Sequence, residues 1–539
     1  MKPEGRVVAC GARLSETAGG AEVLAPRHGC QVLPTELLRV WESLREGRVL
    51  DTLPEEAQRA VAQLSERGLV MRAPGARHST ESRERPPSMV EAVVVVTRDR
   101  EAAVSRLIAS VRAGCHSQRP KIVLVQDGGD PTASAPDGAL CLLRSQRDAY
   151  VTELARRSRF PVEELRSHLA PPQTCGTIST GAARTFAQLL MADRRYFIAD
   201  DDVLLLPAQT TVAPVFSGLS SVVPGVRRIG RSGSSNSSSF SGGGDPLDYF
   251  TELMDSTATA GCAAADEFDC PQLLGAASIG ALRVPIVAPA VWGDGGAITP
   301  LWNMFHLDDE EYPRFRLDRN CDVIRSSNIL SSSRAWLSVA ALVDGTSLLP
   351  PFAPIGRSQD TVFAALLTSM SLGNAIGHAV PPVLHLSGRP ASFDEDSMYL
   401  PALAPQGNIV LAEAIAALRP VHRSFSPWSD DGWGRMGGAL CWAASTGVLR
   451  DVAARVLRQR THGLKAFCAS LPNGSPRHDD ATRVRTKAEE TLTQGRHFPP
   501  RDCGSELGFV QFVESFGRVL QAWPSIWAAA LELRGYFEP

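Results

Sequence analysis

Three consecutive carboxylates lie between two apolar runs of the chain. Asp200, Asp201 and Asp202 follow the segment RYFIA and precede the segment VLLLP. Burying three unpaired carboxylates together is costly or raises their pKa values, and a divalent cation removes that conflict. Mg²⁺ and Mn²⁺ accept oxygen ligands and are usually held by one or two carboxylates together with substrate phosphates. The triplet therefore predicts metal-assisted chemistry at a phosphate group; the alternative is an acidic turn exposed to solvent.

Polar residues also end two other apolar runs. Residues 92–96 are followed by Thr97 and Arg98, and the run KIVLVQ is followed by Asp127 in the turn DGGD. In an open α/β sheet, ligands bind outside the carboxyl ends of the strands. We therefore expect these residues to lie beside the acidic triplet, although an Asp-Gly-Gly turn is also common in ordinary loops.

The elements that would position these residues follow a β-α-β pattern. The run at residues 92–96 is too short for a helix and does not alternate, which indicates a strand covered on both faces. The segment EAAVSRLIASVRAG places apolar residues at helical spacing, and KIVLVQ supplies a second buried strand. A charged helical insertion is expected within residues 144–174. Residues 89–395 are thus predicted to form an α/β domain with a mostly parallel sheet flanked by helices.

The first 74 residues predict a small winged-helix-like domain, followed by a polar linker at residues 75–88. Short strands are expected at Val7–Ala9 and residues 22–25, then two helices, then a strand in LVMRA. This order resembles the peptide-recognition domains of pathways that modify ribosomally made peptides. Such domains add a leader peptide as an extra strand at a sheet edge. A plain cap or an oligomerisation domain is the alternative interpretation.

Residues 396–539 predict an α-helical C-terminal domain. Its last segment carries apolar residues at three- and four-residue steps, and Pro524 marks a kink or a break. Residues 230–244, GRSGSSNSSSFSGGG, are expected to be a flexible loop by composition. This loop is either a lid over a bound donor or a surface segment without a role.

Bulk properties narrow the class of partner. The chain has 539 residues, 44% of them hydrophobic, and a formal net charge of -3, so it has no overall cationic field for nucleic acid or an anionic membrane. Its 11 cysteines are scattered without a CxxC pair, which argues against a disulfide framework or a structural zinc site. The N-terminus lacks the apolar core of a secretory signal, and no stretch is apolar enough to span a bilayer. We therefore expect a cytoplasmic protein without nucleic-acid partners.

Several motifs in order resemble the GT-A glycosyltransferases, in particular the inverting family-two type. VVVVTRDREAAVSRLIASV resembles their opening strand and helix, VQDGGD their nucleotide-binding turn, and TGAARTFAQLLMADRRYFIADDDV their helix leading into the DxD motif. Further along, LLGAASIGALRVP, PIGRSQDTVFAALL and VLHLSGRP resemble the strand after DxD, the acceptor-side helix start and the strand with a late histidine ligand. The resemblance covers about 300 residues, in the same order as in the family.

The resemblance implies a metal-dependent transfer of a sugar from a nucleotide donor, expected to be UDP-linked, to an acceptor that the N-terminal unit suggests is a peptide. The implied nucleotide-sugar contacts are Thr97, Arg98, Asp127, Arg184, Asp200 and Asp201. The implied ligands of Mn²⁺ or Mg²⁺ are Asp202, Asp200 and His385. Asp360 would be the catalytic base that deprotonates the acceptor hydroxyl or thiol. Arg184 would hold Asp127 or a phosphate.

The residues alone leave alternatives for three of these roles. Asp360 could be a plain helix N-cap, His385 a satisfied core residue, and Arg184 the partner of a neighbouring acid. The chain also departs from the family pattern, since Gln359 stands where an acidic residue commonly precedes the base, and the segment between VQDGGD and TGAARTF is longer than usual.

Other functions are compatible with the same pattern. They are transfer to a saccharide or lipid-linked acceptor, nucleotidyl transfer, and a peptide-binding scaffold with a degenerate transferase domain. A dinucleotide-dependent oxidoreductase is disfavoured because TRDREA is not the Gly-rich turn that such an enzyme needs after its first strand.

Overall fold

The computed structural model describes most of the chain after residue 88 and short segments before it. The described residues are 7–9, 13–17, 20–25, 29–33, 59, 70–72, 89–98, 100–127, 138–171, 179–208, 212–214, 216, 218–220, 226–229, 244–256, 283–293, 312–313, 321–324, 327–331, 336, 338–370, 374–386, 402–418 and 430–537.

The strands and helices are numbered in chain order. The strands are β1 (Val7–Ala9), β2 (Arg13–Thr17), β3 (Gly20–Ala25), β4 (Gly29–Leu33), β5 (Val70–Arg72), β6 (Ala92–Thr97), β7 (Lys121–Gln126), β8 (Ala139–Leu142), β9 (Arg195–Asp200), β10 (Val203–Leu205), β11 (Gly218–Ser220), β12 (Val226–Ile229), β13 (Arg283–Gly293), β14 (Cys321–Ile324), β15 (Ile329–Ser331), β16 (Ala340–Asp344) and β17 (Asn374–His385). The helices are α1 (Glu101–Gly114), α2 (Arg144–Ser158), α3 (Val162–Leu169), α4 (Thr180–Leu190), α5 (Pro246–Asp255), α6 (Gln359–Met370), α7 (Gly407–Leu418), α8 (Asp430–Ser445), α9 (Val448–Ser470), α10 (Pro476–Thr493) and α11 (Glu506–Glu532).

A parallel block of four strands forms one end of the 12-stranded main sheet. β9, β6, β7 and β8 lie side by side in that order, and each neighbouring pair is parallel. The valines of β6 are buried on both faces, as continuous apolar runs in parallel sheets require. The predicted α/β class and the predicted β6-α1-β7 unit are therefore confirmed, with α1 at the expected bounds.

Antiparallel strands extend the sheet beyond β9. β16 pairs antiparallel with β9 and with β13, and the long strand β17 pairs parallel with β13. The short strand β10, which follows the acidic triplet, pairs antiparallel with the end of β17. This pairing sets Val203 opposite His385 and so returns a distant part of the chain to the carboxyl edge of the sheet.

Helices cover both faces of the sheet. Val94 and Val96 face a buried cluster that includes α2, α4, α6 and the C-terminal helices α7, α8, α9 and α11. Val93 and Val95 face a second cluster with α1 and α5. The C-terminal helices therefore share a core with the sheet, and the Nε1 of Trp523 on α11 donates to the Leu349 carbonyl at 2.6 Å.

The helical character expected after residue 396 is confirmed for the part of that region that is described. Helix α11 continues through Pro524 without a break. The insertion after residue 143 is helical, as expected, and consists of α2 and α3. Among the described residues, no helix is both long and apolar enough to cross a membrane.

Near the N-terminus, β1 and β5 form an antiparallel pair, and β2, β3 and β4 form an antiparallel meander. The strands expected at Val7–Ala9, at residues 22–25 and in LVMRA are confirmed, while β2 and β4 are additional. The two helices predicted before residue 69, the linker at residues 75–88 and nearly all of the Gly/Ser segment 230–244 lie outside the described residues.

Candidate functional site

The carboxyl ends of β6, β7 and β9 meet at one edge of the sheet. The parallel registers set Thr97 opposite Gln126 and Val96 opposite Asp200. Strands in a sheet lie about 4.8 Å apart, so residues that end adjacent strands lie within side-chain reach of one another. Asp127 is anchored directly to β6, because its backbone nitrogen donates to the Thr97 carbonyl at 2.7 Å. The predicted convergence of these strand ends is thus present.

Asp201 fastens the acidic triplet to the end of β6. Its Oδ2 accepts a hydrogen bond from Thr97 Oγ1 at 2.8 Å and a longer one from the Arg98 backbone nitrogen at 3.4 Å. Its Oδ1 accepts from Arg100 Nη1 at 3.0 Å. Burial raises the pKa of Asp201, and the Thr97 hydroxyl and Arg100 oppose that rise. Both carboxylate oxygens of Asp201 accept hydrogen bonds from residues at and just after the end of β6. Asp201 therefore positions the loop after β9.

Asp202 lies between a guanidinium and an imidazole. Its Oδ2 accepts from Arg100 Nη1 at 2.7 Å, and its Oδ1 lies 3.3 Å from His385 Nε2. The β10–β17 pairing fixes this geometry, and the Leu386 nitrogen donates to the Asp202 carbonyl at 2.7 Å. Burial acts to raise the pKa of Asp202, but His385 and Arg100 outweigh it and lower that pKa to about 2.

Asp200 is paired with Arg184 of α4. Arg184 Nη2 donates to Asp200 Oδ1 at 2.5 Å, and the arginine side chain is only 4% exposed. Burial raises the pKa of Asp200 to about 6; Arg184 opposes this rise, and the neighbouring Asp202 adds to it. Sequence analysis predicted Asp127 or a phosphate as the partner of Arg184, and the structure shows an ion pair between Arg184 and Asp200. The alternative of a neighbouring acid therefore describes its position better.

Asp127 lies in its own polar environment one strand further along. Ser179 Oγ donates to both carboxylate oxygens, at 3.0 and 2.9 Å, and Arg147 Nη1 lies 3.9 Å from Oδ1. Burial raises the pKa of Asp127, whereas the charges of Arg147, Arg98 and Arg144 lower it. The surplus of cations around this carboxylate keeps the strand end compatible with an anionic ligand.

Asp360 lies at the start of α6, as predicted. Its Oδ1 accepts from the Thr361 backbone nitrogen at 2.9 Å, which is a local helix-start contact, and its Oδ2 lies 3.4 Å from Ser338 Oγ. Burial raises the pKa of Asp360, and the charge of Arg184 lowers it. The neighbouring Gln359 donates from Nε2 to Thr180 Oγ1 of α4, and α4 and α6 share one buried cluster, so the base candidate lies on the same face of the sheet as the helix that carries Arg184.

The predicted metal ligands are Asp202, Asp200 and His385. Within the described part of the chain, no group of three or more His, Cys, Asp or Glu side chains is arranged to hold a metal ion. Two donors do fit: Asp202 Oδ1 and His385 Nε2 are 3.3 Å apart, close to the ~3 Å edge between adjacent ligands of an octahedral ion with bonds of about 2.1 Å. Asp200, by contrast, is engaged with Arg184. A cation here would need phosphate or water oxygens to complete its shell.

Three residues of the site were missed from the sequence, namely Arg100, Arg147 and Ser179. A signal existed for Arg147, because it lies three, four and seven residues before Tyr150, Val151 and Leu154, on the buried stripe of α2. A charged residue on such a stripe usually has a buried partner. Ser179 stands at the N-cap position of α4 but makes no side-chain cap hydrogen bond, since its hydroxyl contacts Asp127 instead.

Comparison of the chain with protein-family models, with curated proteins and with solved structures gives no match.

Proposed function

We propose that the chain is a metal-dependent, inverting glycosyltransferase of GT-A type that moves a sugar from a nucleotide donor, UDP-linked in our hypothesis, to a peptide acceptor. The observation that carries the proposal is the meeting of Asp127, the acidic triplet and His385 at one carboxyl edge of a parallel block. This edge is where ligands of open α/β sheets bind. Asp360, on the same side, supplies the candidate base.

The proposed roles follow from the contacts. Asp127 would accept a hydrogen bond from the nucleotide base, and Arg184 would hold Asp200 in place. Asp202 and His385 would hold the divalent cation, which when bound supplies charge neutralisation for the departing diphosphate. In the reaction, the acceptor heteroatom bonds to the anomeric carbon, the bond from that carbon to the diphosphate oxygen breaks, and Asp360 takes the acceptor's proton. The products are the glycosylated acceptor and a nucleoside diphosphate.

A peptide acceptor is favoured by the N-terminal strands. Among the described residues, β2 and β4 each pair only with β3, so each has an edge without a described strand partner. A sheet edge of this kind can accept a peptide as an added strand through main-chain hydrogen bonds. Transfer to a saccharide or to a lipid-linked acceptor is the competing outcome.

The test is product analysis with a panel of sugar nucleotides, Mn²⁺ and candidate acceptors, read by mass spectrometry. We expect a hexose-sized mass increase on an acceptor and release of a nucleoside diphosphate. Asp202→Asn is expected to abolish turnover, whereas Asp193→Asn, which changes a carboxylate before the start of β9 that pairs with Arg534, is its matched control. Release of pyrophosphate would instead identify nucleotidyl transfer. If the wild type shows no turnover and Asp202→Asn binds its partner as well as the wild type does, the chain is a scaffold.

A further inference from the structure

Arg100 bridges two carboxylates of the acidic triplet. Its Nη1 is 3.0 Å from Asp201 Oδ1 and 2.7 Å from Asp202 Oδ2. The guanidinium belongs to the residue just before α1, and its side chain is 38% exposed, while the two carboxylate side chains are almost fully buried. Arg100 therefore covers Asp201 and Asp202 from the solvent side, where a cation and a diphosphate would arrive.

Arg100 and a cation would use the same carboxylate. Asp202 Oδ2 accepts from Arg100 and Oδ1 faces His385, so both oxygens already have a positive or hydrogen-bonding partner. A divalent ion at Asp202 would lie within a few ångströms of the guanidinium, where like charges repel strongly at the low effective dielectric of a partly buried site. Cation binding and the present position of Arg100 are thus opposed.

The charges of the site indicate how Arg100 would affect the binding of a cation and of a donor diphosphate. Leaving His385 aside, three carboxylates, Arg184 and Arg100 carry a net charge of minus one. A divalent cation changes this to plus one, and a donor diphosphate with two negative charges returns it to minus one. Without Arg100, the same three states carry minus two, zero and minus two. Arg100 therefore disfavours the cation alone and favours the diphosphate once the cation is present.

We propose that Arg100 is a positioning residue that competes with the divalent cation for Asp202 in the donor-free protein and pairs with the donor's diphosphate in the loaded one. This inference rests on the proposed function. It makes cation and donor binding mutually dependent, since each offsets the charge that the other leaves unbalanced. It also predicts that removal of Arg100 changes the two affinities in opposite directions, which a merely structural role would not do.

The experiment measures binding rather than turnover, on the full chain. Mn²⁺ is titrated into donor-free protein and followed by the electron paramagnetic resonance signal of the free ion. UDP is then titrated calorimetrically into protein saturated with Mn²⁺. The variants are Arg100→Gln, which removes the charge, Arg100→Lys, which keeps it, and Arg106→Gln, which removes an exposed charge from the same helix about 9 Å further along the axis.

We expect Arg100→Gln to bind Mn²⁺ about fivefold more tightly and UDP about fivefold more weakly than the wild type, in line with loss of a partly exposed ion pair. Arg100→Lys should restore both affinities in part, and Arg106→Gln should leave both within about twofold. Weaker or unchanged Mn²⁺ binding by Arg100→Gln overturns the inference while leaving the proposed function intact. Absence of Mn²⁺ binding by the wild type with and without UDP, and by Arg100→Gln as well, overturns the metal-dependent function itself, and the inference with it.

Discussion

Replacement of Arg147 by methionine tests how the buried end of β7 is held. The Arg147 side chain is only 3% exposed; Nη1 donates to the Gln126 carbonyl at 2.7 Å, and Nη2 donates to the Leu169 carbonyl. The same Nη1 lies 3.9 Å from Asp127 Oδ1. Methionine is similar in length and flexibility, so the substitution removes the charge and the hydrogen bonds while leaving most of the apolar contacts.

The expected loss of stability follows from the distance. Two opposite charges 3.9 Å apart attract by about 4 kcal/mol at an effective dielectric of about 20. Removing one partner of a buried pair usually costs about 3–5 kcal/mol, because the other charge is left uncompensated. Since Ser179, Arg98 and Arg144 stay near Asp127, we expect Arg147→Met to lower the free energy of unfolding by about 2–3 kcal/mol.

This loss should depend on pH in a defined direction. Burial already raises the pKa of Asp127 in the folded protein, and removal of Arg147 raises it further above the unfolded value. The folded variant then holds a proton that the unfolded chain releases, so its stability falls as pH rises through that window. The difference in the free energy of unfolding between wild type and variant is therefore largest at alkaline pH. It becomes smaller as pH falls, because Asp127 becomes neutral.

The assay is scanning calorimetry of the full chain from about pH 8 to about pH 5, with the unfolding temperature as the readout. Arg156→Met is the matched control, because Arg156 lies on the same helix, is 68% exposed and pairs with Glu153 at the surface. Exposed pairs of this kind contribute little to stability. Equal unfolding temperatures of the two variants at every pH would refute the reasoning.

Three further predictions concern other parts of the site and its support. Asp360→Asn should lower kcat about 10²- to 10⁴-fold, and the acid limb of the wild-type pH profile should lie above pH 3.8 because burial raises the pKa of Asp360; turnover equal to wild type would exclude it as the base. Gly181→Ala would make the new Cβ clash with the Ala353 carbonyl oxygen, so we expect weaker UDP binding and a lower unfolding temperature. Gly114→Ala is the control and should change neither, because nothing lies within 4 Å of its new Cβ. Burial lowers the pKa of His168 from 6.5 to about 4, so the wild type should lose about 3 kcal/mol as pH falls between these values, and parallel pH–stability curves for His168→Leu and wild type would contradict this.

Features with a local cause were predictable from the sequence. The continuous valines of β6, the apolar stripe of α1 and the run of β7 each determine their own element, because burial on two faces or on one helical stripe leaves a periodic pattern. Polar residues at the ends of such runs are then expected at one sheet edge. Asp127 and the acidic triplet were found by this reasoning, whereas Asp360 and His385 came from the family resemblance.

Strand order and partner choice lack such a local cause. Antiparallel β16 lies between β9 and β13, and nothing in its own residues distinguishes that position from an edge. The pairing of β10 with β17 brings His385 to Asp202 across more than 180 residues. The ion pair between Arg184 and Asp200 likewise depends on how α4 packs against β9. The apolar pattern of the helix alone does not determine that packing. β2 was missed because RLSET is polar and five residues long, although the two residues Ala18 and Gly19 between Thr17 and Gly20 are a sequence signal for a short hairpin connection.

Helix α4 connects the two halves of the proposed reaction. At its start, Ser179 contacts Asp127 on the proposed nucleotide side, and Thr180 Oγ1 accepts from Gln359 Nε2 at 2.8 Å on the proposed acceptor side. One turn later, Arg184 pairs with Asp200, and its charge also lowers the pKa of Asp360. Gly181 allows this arrangement, because any larger residue would push α4 away from the loop before α6. A displacement of α4 would therefore alter both carboxylate environments at once, so we expect a substitution that moves α4 to affect the proposed donor side and the proposed base together.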